Sequence, residues 1–266
     1  MVKTNRPPSH QNQQLVKMPW FLPIQIFFVK STTDWKYTAE RVGASRDTKE
    51  LHKVLSKLGF QVTFKIDCTA EEILQEYKQE SFRIHGSCFI SVISSHGAEG
   101  VIYGSDGCPI RLPEIYSMFT PQSCPTLAGK PKIFFIQACR GLQLDDGVYL
   151  ETDGVMETDS GCSTQSAYSH YEAVPEDTTV HFSTSSDHAA FLRPGYGSIF
   201  LQSLCKMLMG EQRHWELLRI MTRINGLVAW SFESRGLNFG GKKQMPCFVS
   251  RMRHEVFPFS DRLTPA

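Results

Sequence analysis

Apolar positions along the chain gather in short blocks, and the polar stretches between them carry a helical rhythm. Ile24–Val29 is an apolar block that predicts a buried strand, followed by a polar loop to Arg46. Leu51, Val54, Leu55 and Leu58 recur at helical spacing before Gly59, and Asp47-Thr-Lys-Glu50 reads as a capping box opening that helix. Gln61–Ile66 is strand-like, and Thr69-Ala-Glu-Glu72 opens a second helix through about Glu80. Cys88–Ser94 and Lys132–Ala138 are continuous apolar runs of the kind covered on both sheet faces, with a short helix around Leu112–Phe119 between them. Later come a strand at Thr179–Ser183 and helices near Ser198–Met209 and His214–Trp230. Leu217, Leu218, Met221, Ile224 and Val228 stripe the second of these, and Pro246–Ser250 reads as a last strand.

This alternation predicts an α/β fold, a three-layer sandwich with a mainly parallel central sheet flanked by helices. Functional sites in such sheets lie beyond the carboxyl ends of the strands. Two loops therefore fall at the functional edge: Ser94-Ser95-His96-Gly97 and Ala138-Cys139-Arg140-Gly141. Residues 142–177 break the pattern, being rich in Gly, Ser, Thr, Asp and Glu, and read as an exposed linker. The chain then divides into a disordered arm (1–17), a large part (18–141), the linker (142–177) and a small part (178–266).

Composition narrows the function classes. The 266 residues are 41% hydrophobic with net charge +1, so neither a nucleic acid nor a membrane surface is an expected partner. The Met18–Val29 stretch is broken by Pro19 and Pro23, lacks a small-residue cleavage site, and is too short to span a bilayer. The eight cysteines, Cys162 among them, show no CxxC spacing and read as reduced thiols in a cytoplasmic protein. No metal or nucleotide motif is present, and no cofactor is expected.

The remaining chemistry sits at the strand ends. Cys139 closes an apolar strand and enters a glycine-containing turn; His96 closes the neighbouring run just before Gly97. A thiol beside an imidazole, with the Gly97 and Cys139 amides as an oxyanion hole, is what a cysteine endopeptidase needs. At this point the sequence closely resembles the caspase family. Gln137-Ala-Cys-Arg-Gly141 with a histidine upstream in Ser95-His96-Gly97 fits the family signature. Gly129-Lys-Pro-Lys132, Leu201-Gln-Ser-Leu-Cys205, Phe232-Glu-Ser234 and Lys242-Lys-Gln-Met-Pro-Cys247 extend the match from about residue 24 to 261, most like the effector branch.

The resemblance implies cleavage of protein substrates after aspartate, with Arg41 and Gln137 in the pocket for that carboxylate. It places Ala189, Phe191, Arg193 and Phe232 among the substrate-binding residues. The family's second pocket arginine falls here on Leu192, and Arg193 comes one residue late. Neighbouring side chains of an extended segment point to opposite sides. Three outcomes follow: a loop shift that brings Arg193 in, a slow enzyme, or acceptance of a different residue before the scissile bond. The first two are the expectation. Ala189 and Phe191 stand where effector members carry aromatic residues, which predicts a roomier neighbouring subsite.

The resemblance also implies a zymogen cut in its linker by an upstream initiator protease. Leu-Glu-Thr-Asp153 and Met-Glu-Thr-Asp159 are the expected cleavage points. No aspartate precedes Asp34, so the N-terminal arm is retained or trimmed by another protease. Two protomers are expected to pair through the strand near Pro246–Ser250. The competing reading is a weak or inactive caspase homologue that acts as a dimerising regulator.

Overall fold

The computed structural model describes residues 23–29, 41, 43–147, 174–235 and 240–260. The expected arm (1–17), Asp34, Asp153, Asp159 and Cys162 lie outside them. The first half of the fold contains β1 (Pro23–Phe28), α1 (Ala44–Lys57), β2 (Gln61–Ile66), α2 (Ala70–Ser81) and β3 (Phe89–Ser94). A small antiparallel unit follows, β4 (Gly97–Ala98), β5 (Val101–Tyr103) and β6 (Pro109–Arg111), then α3 (Leu112–Ser117) and β7 (Lys132–Gln137). After the linker come β8 (Thr178–Phe182), α4 (Ile199–Met209), α5 (Leu217–Ser231) and β9 (Cys247–Ser250).

The described strands form a six-stranded sheet in the order β2-β1-β3-β7-β8-β9, parallel except for β9, which runs antiparallel along β8. The unbroken apolar strands feed both faces, because successive side chains alternate across a sheet. Ile24, Ile26, Val92 and Phe135 pack under α1, α4 and α5. Phe27, Phe89, Ile93, Phe134 and Ile136 pack on the other side with α2 and α3. The three-layer α/β expectation therefore holds.

Local signals succeeded where the partner was also local. Thr69 Oγ1 accepts from the Glu72 amide, and the Glu72 side chain answers the Thr69 amide, a complete capping box for α2. The box expected at Asp47–Glu50 is not one. α1 already begins at Ala44, and the Asp47 carboxylate accepts from the Ser198 amide and from Gln202 Nε2, each at 2.8 Å. The last helix starts at Leu217 rather than His214, since Glu216 caps it by accepting from the Leu218 and Arg219 amides.

At the first described end of the expected linker Leu142, Gln143 and Asp146 are exposed. Gln143 bridges to His188 and Asp145 to Lys243, which ties this segment to the chain after β8 and to the chain before β9. At the other end Val174 and Asp177 are buried. Asp177, at φ 53°, takes a bidentate pair from Arg253 at 2.8 and 2.5 Å, which holds its carboxyl below the ordinary value. Its folded pKa is depressed, so the stabilisation is present above the unfolded value of about 3.9 and is lost as pH falls through the folded pKa. Asp177→Asn tolerates the same backbone and removes only the charge. It is expected to cost about 1–2 kcal/mol at neutral pH, the half-exposed Arg253 being screened by water, with the gap closing as pH falls through the folded pKa of Asp177. Urea titrations at neutral and at acid pH check this; an unchanged gap in acid would show that the charge is not what is lost.

Candidate active site

The site forms because two parallel neighbours end level with each other. β3 and β7 pair in register through Ser94 opposite Gln137, and the Ser95 amide still donates to the Gln137 carbonyl at 3.1 Å. Each strand carries the chain on by the same short overhang, to His96 and to Cys139. The turn at Gly97 presses on the turn at Cys139: a Cβ at Gly97 would lie 2.7 Å from the Cys139 carbonyl oxygen and 2.9 Å from Ala138 Cβ. A side chain there would drive the two loops apart.

The loop after β8 closes the third side. The Ala190 amide donates to Cys139 Sγ at 3.4 Å, leaving the thiol partly buried. Behind it Arg140 is anchored to the turn after His96 by an ion pair with Glu99 at 2.6 Å. The Arg140 guanidinium lies 4.2 Å from the centre of the Phe182 ring. At Gly141 a Cβ would fall 2.0 Å from the Asp187 carbonyl oxygen, so β7 and β8 hand their chains across each other without space for a side chain.

These loops enclose a cleft of about 220 Å³ that holds His96, Cys139, Arg41 and Gln137 together, with Ser95 and Leu192 also on its wall. Arg41 is 7% exposed and donates to the Val29 carbonyl at 2.6 Å and to Ser94 Oγ at 2.8 Å. Burial lowers its pKa to about 10, so it remains a cation at neutral pH. Gln137 is buried, and its Oε1 has no hydrogen-bond partner among the described residues. The cleft thus combines a thiol, an imidazole, close-packed turn amides and a buried cation, the components of acyl transfer. Among the described residues no group of side chains is suited to a metal ion, and no helix is long and apolar enough to cross a membrane.

Residues 29–258 match the caspase domain. The chain belongs to the caspase family. It is 41% identical over 221 residues to caspase-3 of Mesocricetus auratus, covering 82% of this chain and 76% of that protein. It is 37% identical over 225 residues to caspase-7 of Gallus gallus, covering 82% and 70%. The crystal structure of caspase-1 from Spodoptera frugiperda superposes with a TM-score of 0.80 at 29% identity, covering 97% of this chain and all of that one. The chain is therefore a cysteine endopeptidase, an effector-like caspase whose relatives support a role in apoptosis.

Within this caspase the remaining substrate-binding expectations divide. Arg193 does not enter the cleft. Its guanidinium donates to the Glu233 carbonyl and lies 4.9 Å from the centre of the Phe232 ring. The expected loop shift is absent: Leu192 takes the cleft wall, and Arg193 points the other way, as alternation along an extended segment demands. Phe191 and Phe232 pair with ring centres 5.2 Å apart, beside the cleft rather than in it. The Phe191 amide is held by Gln244, and Ala189 is engaged through its amide with Gln143 and its carbonyl with Thr184. Ser94 and Gln244 are supporting residues that sequence reading did not single out; each acts through a partner distant in the chain.

Proposed function

We propose that Cys139 is the nucleophile and His96 the general base of a peptidase that cuts protein substrates after aspartate. The observation that carries this reading is the convergence of Cys139, His96, Arg41 and Gln137 on one cleft. The Cys139 thiol gives its proton to His96 and the sulfur attacks the scissile carbonyl carbon. The amides of Gly97 and Cys139 stabilise the oxyanion. Collapse breaks the C–N bond, and the leaving amine takes the proton from the His96 imidazolium. Water then gives a proton to His96 and adds to the thioester; the C–S bond breaks, and Cys139 regains its proton. No redox step or cofactor enters this sequence.

The same reading assigns Arg41 and Gln137 to the aspartate side chain, and Phe191 with Phe232 and Ala189 to the subsite beside it. Arg193 supports the Phe232 wall. The protein works in the cytoplasm as a zymogen, cut at Asp153 and Asp159 by an upstream initiator. Two protomers, each a large and a small part, then pair through β9, an edge strand of the described sheet and so open to pairing.

An Asp-containing fluoromethyl ketone tests the assignment. Mass spectrometry is expected to show one adduct per chain on the Cys139 peptide and none after Cys139→Ala. Labelling spread over the other thiols, or persisting in the variant, would overturn it. Burial pushes the thiols of Cys88 and Cys205 up to about 12 or beyond, so they offer little thiolate in competition.

A further inference from the structure

The cleft beside Cys139 is poorly equipped for a charged side chain. Arg41 is the one permanently charged residue among the described residues on its wall. Part of its donor set is already committed to Val29 and Ser94, and its own charge is disfavoured by burial. A carboxylate entering the cleft leaves water with its full charge and meets this single cation. The guanidinium of Arg193, the residue after Leu192, is fixed on Phe232 and Glu233 instead. Leu192 contributes only apolar surface where it faces the cleft. It is packed against Gly43, where a Cβ would come within 3.0 Å of Leu192 Cγ.

The cleft does have unused hydrogen-bond acceptors. Gln137 is 1% exposed and lines the cleft, and its Oε1 has no hydrogen-bond partner among the described residues. Ser95 also lines it; its hydroxyl donates to the Tyr103 carbonyl at 2.5 Å, which leaves the oxygen lone pairs to accept. A carboxylate can use only the NH2 end of Gln137 and nothing of the Ser95 lone pairs, since it has no N–H or O–H to give. A carboxamide of the same size can use these acceptors. Its oxygen accepts from Arg41 and its NH2 donates to Gln137 or Ser95, with no net charge to desolvate.

We propose that this caspase also cleaves after asparagine, and that Leu192 is the residue that admits it. The inference rests on the proposed roles of Cys139 and His96, and the chemistry is the same thioester formation and hydrolysis. Leu192 is a specificity-determining residue: it touches the cleft and withholds a charge from it. An arginine at this position restores compensation for a carboxylate and offers only donors to the carboxamide NH2.

The test uses peptide pairs identical except for Asp or Asn before the scissile bond, with the full chain after linker cleavage. Wild type is expected to hydrolyse the two with kcat/KM values within about tenfold of each other, and Cys139→Ala to hydrolyse neither. Leu192→Arg is expected to raise the Asp/Asn ratio at least tenfold. Leu192→Lys, with a thinner stem, serves if the arginine variant does not fold. An Asp/Asn ratio above about 10³ in wild type, or one that Leu192→Arg and Leu192→Lys both leave unchanged, overturns the asparagine reading while the peptidase assignment stands. Hydrolysis of neither peptide by wild type overturns both.

Discussion

Cys139→Ala is expected to lower kcat/KM for protein substrates by roughly 10⁴- to 10⁶-fold, with the melting temperature moved by less than about 2 °C. The thiol's protein contact is a weak one with the Ala190 backbone, so its loss leaves the fold almost untouched. His96→Ala is expected to fall within the same range. The sharper expectation concerns the double variant. A nucleophile and its base act as one unit, so removing both costs little more than removing either. Single-turnover kinetics on the three variants check this. Independent, multiplying losses would mean that His96 does something other than activate Cys139, such as holding the Gly97 turn against the Cys139 turn.

How much of this was legible in the chain depended on how far away the deciding partner lay. β3 and β7 announced themselves, because strands covered on both faces must be apolar throughout. The positions of His96 and Cys139 followed from those strand ends and from a specific motif. The Thr69 capping box was legible for the same reason: both partners lie within one turn. The β4–β6 unit was not, because strands of two or three residues are shorter than any pattern that could reveal them. The fate of Arg193 was not legible. Its destination is a carbonyl and a ring from the chain after α5, forty positions on, which no local reading connects to it. The linker was read from composition as exposed; Leu142 is, but Asp177 is buried and held by an arginine 76 positions later.

Asp47 is the clearest case, and it carries the largest expected effect on stability. Its local sequence spells a helix start, yet its carboxylate bonds across 151 and 155 positions to the Ser198 amide and to Gln202. These contacts cap α4 from outside and seat the turn at Gly197, which has φ +84° and no room for a Cβ, since one would lie 2.1 Å from Asp47 Oδ1. That turn follows directly on Leu192 and Pro194, both on the cleft wall. Asp47→Ala removes both bonds and leaves the buried Ser198 amide without its acceptor. The cost is expected at about 2–4 kcal/mol, read by urea denaturation. Because the loosened turn carries the specificity wall and not the nucleophile, KM is expected to rise several-fold while kcat changes little. Asp47→Asn keeps one acceptor oxygen and should recover about half of the stability. A fully stable Asp47→Ala chain, or one that loses kcat and keeps KM, would mean that the tie between α1 and α4 does not position the Leu192 loop.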